Sequence, residues 1–145
     1  ELFSSPYLVF GFEGAAVLGN YGPQHIITPN TALHIYSPFL TFKGIAPYEY
    51  IGDKLIAFHI EHNWRTIPYQ AIGFDFLTDL NIDVMTGFSI LKMWNGSSYF
   101  KNQTLDKIYW EGYVSFGKIL GVGRINFSYS SNNNFVVRAG LSTVL

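Results

Sequence analysis

The chain contains no cysteine. That excludes disulfides, thiolate metal sites and a cysteine nucleophile. Charge is also sparse, at 13% of residues where roughly 25% is typical of a soluble domain. Nine basic and ten acidic residues leave a net charge of -1. Without a basic excess to neutralise phosphates, nucleic-acid binding lacks its main driving force. No apolar run reaches the 18 or so residues of a transmembrane helix. Neither a signal peptide nor an initiator Met stands at Glu1, so the 145 residues are expected to be a processed protein or a piece of a longer one. The strand count below favours a piece.

Apolar and aromatic residues are what the chain has. It is 48% hydrophobic and 18% aromatic, with 10 Tyr, 13 Phe and 3 Trp. Such an excess of Tyr and Phe suits strands and membrane interfaces better than a helical core. Period-two alternation recurs in six segments and predicts an all-β chain of antiparallel strands. The first covers about Pro6 to Leu18, with Leu8, Phe10 and Phe12 opposite Tyr7, Gly11 and Glu13. In the second, Tyr50 to Arg65, one face holds Tyr50, Ile56, Phe58, Ile60 and Trp64. The other holds Asp53, Ala57, His59, Glu61, Asn63 and Arg65. The third, Leu80 to Ile90, sets Leu80, Ile82, Val84, Phe88 and Ile90 against Asn81, Asp83, Gly87 and Ser89. The remaining three are Lys107 to Gly117, Gly121 to Ser130 and Phe135 to Leu145.

Each segment has one apolar face with aromatic ends and one face of charges, amides, hydroxyls and glycine. About 9–11 residues is what a tilted strand needs to cross a bilayer. Alternation alone does not say which face points inward. A soluble sandwich or lipocalin-like barrel would bury the apolar face. Two features favour a membrane barrel: the polar faces are poor in Lys and Glu for a solvated surface, and Trp64 and Trp110 stand near strand ends as an aromatic girdle would. Gly117 to Leu120 reads as a tight turn, Ser131–Asn134 as a polar turn, and Asn95–Asp106 as a longer polar loop. Gly19–Glu49 is the longest connection and holds Pro23, Pro29, Pro38 and Pro47. A loop of that length inside a domain is usually functional or disordered.

The chain ends Arg138-Ala139-Gly140-Leu141-Ser142-Thr143-Val144-Leu145. This resembles the C-terminal assembly signal of outer-membrane barrels. Arg138, Gly140, Leu141 and Leu145 carry the likeness; Thr143 stands where an apolar residue is usual, and the last residue is not aromatic. The sequence is also similar to the C-terminal part of a family of Bacteroidetes outer-membrane proteins with barrels like those of the BamA/TamA superfamily. That resemblance rests on Glu49–Lys54, on Phe58-His59-Ile60-Glu61-His62-Asn63-Trp64-Arg65-Thr66-Ile67-Pro68, and on Tyr109–Phe116.

The resemblance implies the C-terminal six strands of a 16-stranded transmembrane β-barrel, residues 1–145 being its C-terminal portion. The other strands would come from the rest of the polypeptide or a cleaved companion, because an isolated sheet leaves edges that lipid does not tolerate. It implies a bacterial outer-membrane location with the C-terminus periplasmic. The loops Ser131–Asn134, Asn95–Asp106 and Gly19–Glu49 are then extracellular. It further implies that the long loop folds into the barrel, where a basic-Gly-aromatic motif meets an acidic residue of the inner wall. The nearest match is Phe42-Lys43-Gly44-Ile45, with Lys in place of the usual Arg, Ile in place of the aromatic and Asp83 as the expected partner; Lys lacks the bidentate geometry of Arg.

Catalytic chemistry finds little support. His59 and His62 point to opposite faces of a strand, which argues against a shared metal. Glu13, Glu61 and Glu111, with Arg65, Arg124, Arg138 and Lys107, read as an ion-pair and hydrogen-bond lattice on the barrel's inner wall. Gly121-Val122-Gly123 lacks the rest of a phosphate loop, and no nucleophile elbow is present. The expectation is therefore a non-enzymatic barrel without cofactor or metal. Its partners would be outer-membrane lipid, its own missing strands and subunits of an outer-membrane complex. The resemblance implies a role in assembly or translocation of outer-membrane or surface proteins, with Phe135 to Leu145 as a seam for strand addition. A passive pore and a soluble lipid-binding β-barrel are the competing expectations.

Overall fold

In the computed structural model the described residues are 5–19, 25–32, 40–95, 105 and 107–141. Six antiparallel strands form one sheet in sequence order: β1 (Tyr7–Ala16), β2 (Lys54–Arg65), β3 (Asp83–Trp94), β4 (Tyr109–Ile119), β5 (Gly123–Ser130) and β6 (Phe135–Leu141). Every neighbouring pair is antiparallel, with Phe12 opposite Phe58, Phe58 opposite Ile90, and Ile90 opposite Trp110. β1 and β6 each pair on one side only, so the sheet is open.

One end of the sheet is closed by short structures. The β4–β5 turn is Leu120-Gly121-Val122, with positive φ at Leu120 and Gly121 and the Gly121 amide donating to the Lys118 carbonyl at 2.8 Å. β4 thus runs on through Gly117 to Ile119, beyond the turn expected at Gly117 to Leu120. Between β2 and β3 the chain forms two short helices, α1 (Ile67–Ile72) and α2 (Asp75–Asp79). Pro68 sits in the first turn of α1, where its missing N–H costs nothing, and Gly73 ends it in the left-handed conformation. The strand ends that the two long connections join lie at the opposite end, together with the β5–β6 turn, where Asn133 takes a positive φ that Asn tolerates.

The two faces of the sheet differ in burial, and the charged face is the covered one. Inward are Glu61, Arg65, Asp83, Glu111, Arg124 and Asn126, none more than 5% exposed. Outward are Phe10, Phe12, Phe58, Phe88, Val114, Phe127 and Val137, of which Phe12 is 74% exposed. The inner face is covered because the β1–β2 connection folds over it. Its segments pair with one another at Ile27–Gly52 and Thr31–Phe42. Phe42 and Ile45 are buried against Leu55, Ala57, Leu91, Met93 and Tyr109. The inner wall is thus apolar at the loop end and polar below it.

Several strand ends differ from the periodicity. Tyr50 precedes β2 and belongs to the inner cluster, 6.0 Å from the Tyr109 ring, not to the outward face. Leu80 caps α2 and Ile82 precedes β3. Lys107 is exposed ahead of β4 and so stands outside the inner lattice. In each case the alternation runs past the point where a loop or helix takes over the backbone.

Candidate functional site: a loop latched to a charged inner wall

The site grows from strand parity. Residues 57, 59, 61, 63 and 65 of β2 point inward, as do 83, 85, 87 and 89 of β3, 109, 111, 113 and 115 of β4, and 124, 126 and 128 of β5. The register stacks these rows side by side, so charges from different strands meet.

Two ionic centres result. In the first, Arg124 donates to Glu61 at 2.8 and 3.3 Å, and to Ser115 and Asn126 at 3.1 and 2.8 Å. Tyr113 donates its hydroxyl to Glu61 at 2.6 Å. Gly87 lies beneath that ring, and a Cβ there would overlap the Tyr113 phenol. In the second, Arg65 and Lys118 meet Asp83 at 2.7 and 3.4 Å, and Asn63 donates to the same carboxylate at 3.0 Å. Burying such charges is tolerable only because each is paired and hydrogen-bonded.

Glu111 forms the third element. Its carboxylate accepts the backbone N–H of Lys43 at 2.5 Å and of Gly44 at 2.7 Å, and the Tyr109 hydroxyl at 2.9 Å. Three charge-assisted bonds on one carboxylate make a strong latch. Gly44 is required by space: a Cβ would stand 2.7 Å from the Tyr109 hydroxyl and 2.8 Å from Glu111. From β6, Arg138 donates to the carbonyls of Ala32 and Ile45 at 2.7 and 3.0 Å. Phe42 sets its ring edge-on to His59 at 4.7 Å and to Tyr109 at 5.9 Å. The loop is thereby tied to β2, β4 and β6 at once.

Lys43 is fully buried beside this latch. Its ammonium donates to Thr41 at 2.9 Å and lies 5.6 Å over the Tyr113 ring. Burial, and after it the Arg124 guanidinium, hold the Lys43 pKa down to about 7, opposed by Glu61 and Glu111.

The structure brings His59, Glu61, Asn63, Arg65, Glu111 and Arg124 onto one buried face. It brings Lys43 and Gly44 onto the inner wall, but at Glu111 and not at Asp83. Asp83 opens β3 at the far end and is held by Arg65 and Lys118. Glu111 faces Ser89, six residues further along β3 or about 20 Å away, so the expected Lys43–Asp83 pairing gives way to a latch by backbone N–H groups. Arg138, Gly140 and Leu141 lie on β6, Gly140 opposite Arg124 and Leu141 opposite Gly123. Leu145 lies outside the described residues. Glu13 faces inward and accepts from the Asn30 amide at 3.4 Å.

Sequence reasoning set Ser89 and Ser115 on the polar faces without giving them a role, and it missed Tyr109, Tyr113 and Lys118. All but Lys118 share the parity of the charges they serve; Ser89 meets His59 at 2.9 Å. Lys118 is shifted inward by the irregular register between Phe116 and Ile119. Neither a protein-family model, nor a curated protein, nor a solved structure matches this chain.

Proposed function

We propose that the six strands are a segment of a transmembrane β-barrel of the outer-membrane type, in a protein serving insertion or translocation of other outer-membrane or surface proteins. One observation carries the barrel reading: charged side chains are buried on one face while Phe and Trp are exposed on the other. In water the outward face would be an apolar patch far larger than a soluble monomer tolerates. In lipid it is the required surface. The dimensions agree. Trp64 and Lys54 are ten residues apart on β2, and Trp94 pairs with Lys54. That is about 33 Å of strand, or about 25 Å at a tilt of about 40°, the height of a barrel's apolar band. The open edges of β1 and β6 call for further strands to close the sheet.

The assembly reading is favoured over a passive pore by the latched loop. A segment tied to the charged face by Glu111 and Arg138 would obstruct free diffusion along that face. Arg138 links the loop to β6, so movement of one is felt by the other. In the closed barrel β6 would pair with the first strand at the seam, the place where an incoming strand would be templated.

The test is to extract the native protein and determine its mass and detergent dependence together. A species several times 16.4 kDa, folded only in detergent, agrees with this reading. A folded, detergent-free monomer of that mass would overturn it. Assembly and pore then separate by conductance in planar bilayers: the latched loop predicts small, rare openings that grow on Glu111→Ala, whereas a steady open channel in the unaltered protein would favour the pore.

A further inference from the structure

The connection between β2 and β3 hides little of itself. Of its two helices only Tyr69 is buried. Ile72, Phe74, Phe76 and Leu80 are exposed, Phe76 to 70%. One helical turn separates Phe76 from Leu80, so they share a side of α2, and Asp75 and Asp79 form the stripe beside them. Neither aspartate joins an ion pair among the described residues, and no Lys or Arg occurs between Thr66 and Ile82. The neighbouring β4–β5 turn adds Leu120, 99% exposed, and Val122. The two segments leave the sheet side by side, because Asp83, which follows the helices, pairs with Gly117 near the end of β4. The result is an apolar strip edged by carboxylates.

Such a strip in water marks a contact surface, and its chemistry says what it contacts. Further strands of a barrel would join at β1 and β6, whereas this connection joins two inner strands, so closing the sheet does not by itself cover it. A bilayer is the wrong occupant. Amphipathic helices that lie in a headgroup layer present Lys and Arg on their polar side, which suits anionic lipid; here the polar stripe is Asp75 and Asp79. Apolar side chains with acidic neighbours complement a protein segment whose own apolar stripe is flanked by Lys or Arg.

We infer that the Phe76–Leu80 side of α2, with Ile72, Phe74 and the Leu120 turn, is a docking surface for a basic, amphipathic segment of a periplasmic partner protein. The inference rests on the membrane reading, which turns this end of the sheet to the periplasm. The strip is small, so the contact is weak and transient.

The experiment uses the full-length protein in nanodiscs of zwitterionic phosphatidylcholine, with empty nanodiscs as the blank. The probe is a fluorescent helical peptide with a leucine stripe flanked by lysines, followed by anisotropy; a twin peptide carries glutamates in place of the lysines. Heat-modifiable migration on gels verifies that each variant is folded. The unaltered protein should bind the lysine peptide above the blank and leave the twin unbound. Phe76→Ser/Leu80→Ser should weaken binding of the lysine peptide at least about ten-fold. Asp75→Lys/Asp79→Lys should also weaken it and should admit the glutamate twin. Binding no greater than the blank, equal in all variants, or equal for both peptides would overturn the proposal and leave the barrel reading intact. A nitroxide label on a cysteine at Phe76 separates the other occupants. Strong relaxation by oxygen and weak relaxation by a nickel chelate would assign the strip to lipid, and immobilisation without peptide would assign it to the rest of the polypeptide; either overturns the proposal. A protein folded without detergent or lipid would instead overturn the barrel reading and the periplasmic placing, and the comparison among variants would still decide whether the strip binds.

Discussion

At the residue scale the account turns on carboxylates placed to accept more than one donor. Glu111 accepts two backbone amides of the loop and one phenol. Removing it leaves buried N–H groups without a partner, at about 1–3 kcal/mol each. Glu111→Ala is therefore expected to release the loop while the strands persist. Limited proteolysis should show new cleavage between residues 40 and 50, with heat-modifiability retained. Gly44→Ala should do the same by steric exclusion, because the added methyl meets the Tyr109 hydroxyl and Glu111 together. Unchanged cleavage in both variants would remove the latch from the account. The Glu61–Arg124 pair is different in kind. Both side chains are almost fully buried, so truncating one strands the other. Arg124→Met is expected to cost about 3–5 kcal/mol in urea unfolding. The double variant Glu61→Gln/Arg124→Met should recover part of that loss, because no charge is left unpaired.

At the element scale the loop has a pH dependence with a definite sign. Docking lowers the Lys43 pKa from the usual 10.5 to about 7. Below pH 7 the lysine is charged whether docked or released, and the cost of burying that charge is fully present. Between about 7 and 10.5 docking sheds a proton, so rising pH favours the docked state. Amide exchange in residues 41–46 should therefore slow relative to its intrinsic rate from pH 6.5 to pH 9. Lys43→Met should flatten this response. An unaltered profile in that variant would assign the dependence to another group. The same element shows where sequence reasoning succeeds and stops. Alternation located the six strands because each has one face more buried than the other. It failed to find α1 and α2, since six and five residues are too short to display a helical period, though Pro68 and Gly73 bracket α1 as start and stop signals. It missed Leu55, Leu91 and Met93 as inward residues because the wall turns apolar where the loop lands. The charged half of the site was readable from parity alone. The partner of Lys43 and Gly44 was not: an acidic residue on the right face could be Asp83 or Glu111, and only the register places Glu111 under the loop.

At the scale of the whole molecule the central claim is that the exposed aromatic face meets lipid and the charged face meets the barrel interior. It follows from polarity that is otherwise the wrong way round: Phe12, Phe58 and Phe88 exposed, Glu61, Glu111 and Arg124 buried. The loop latch derives its functional reading from it. The most direct test places single nitroxide labels through cysteines at Phe58, Ile60 and Phe88, and for comparison at Ala57, in the full-length protein reconstituted in lipid vesicles. Cysteine is absent from these 145 residues, so they add no background site. Labels at 58, 60 and 88 should relax strongly with oxygen, which partitions into hydrocarbon, and weakly with a water-soluble nickel chelate. The label at 57 should respond to neither as strongly. If 58, 60 and 88 respond to the nickel chelate as freely exposed sites do, the outward face is in water, and the membrane account is contradicted.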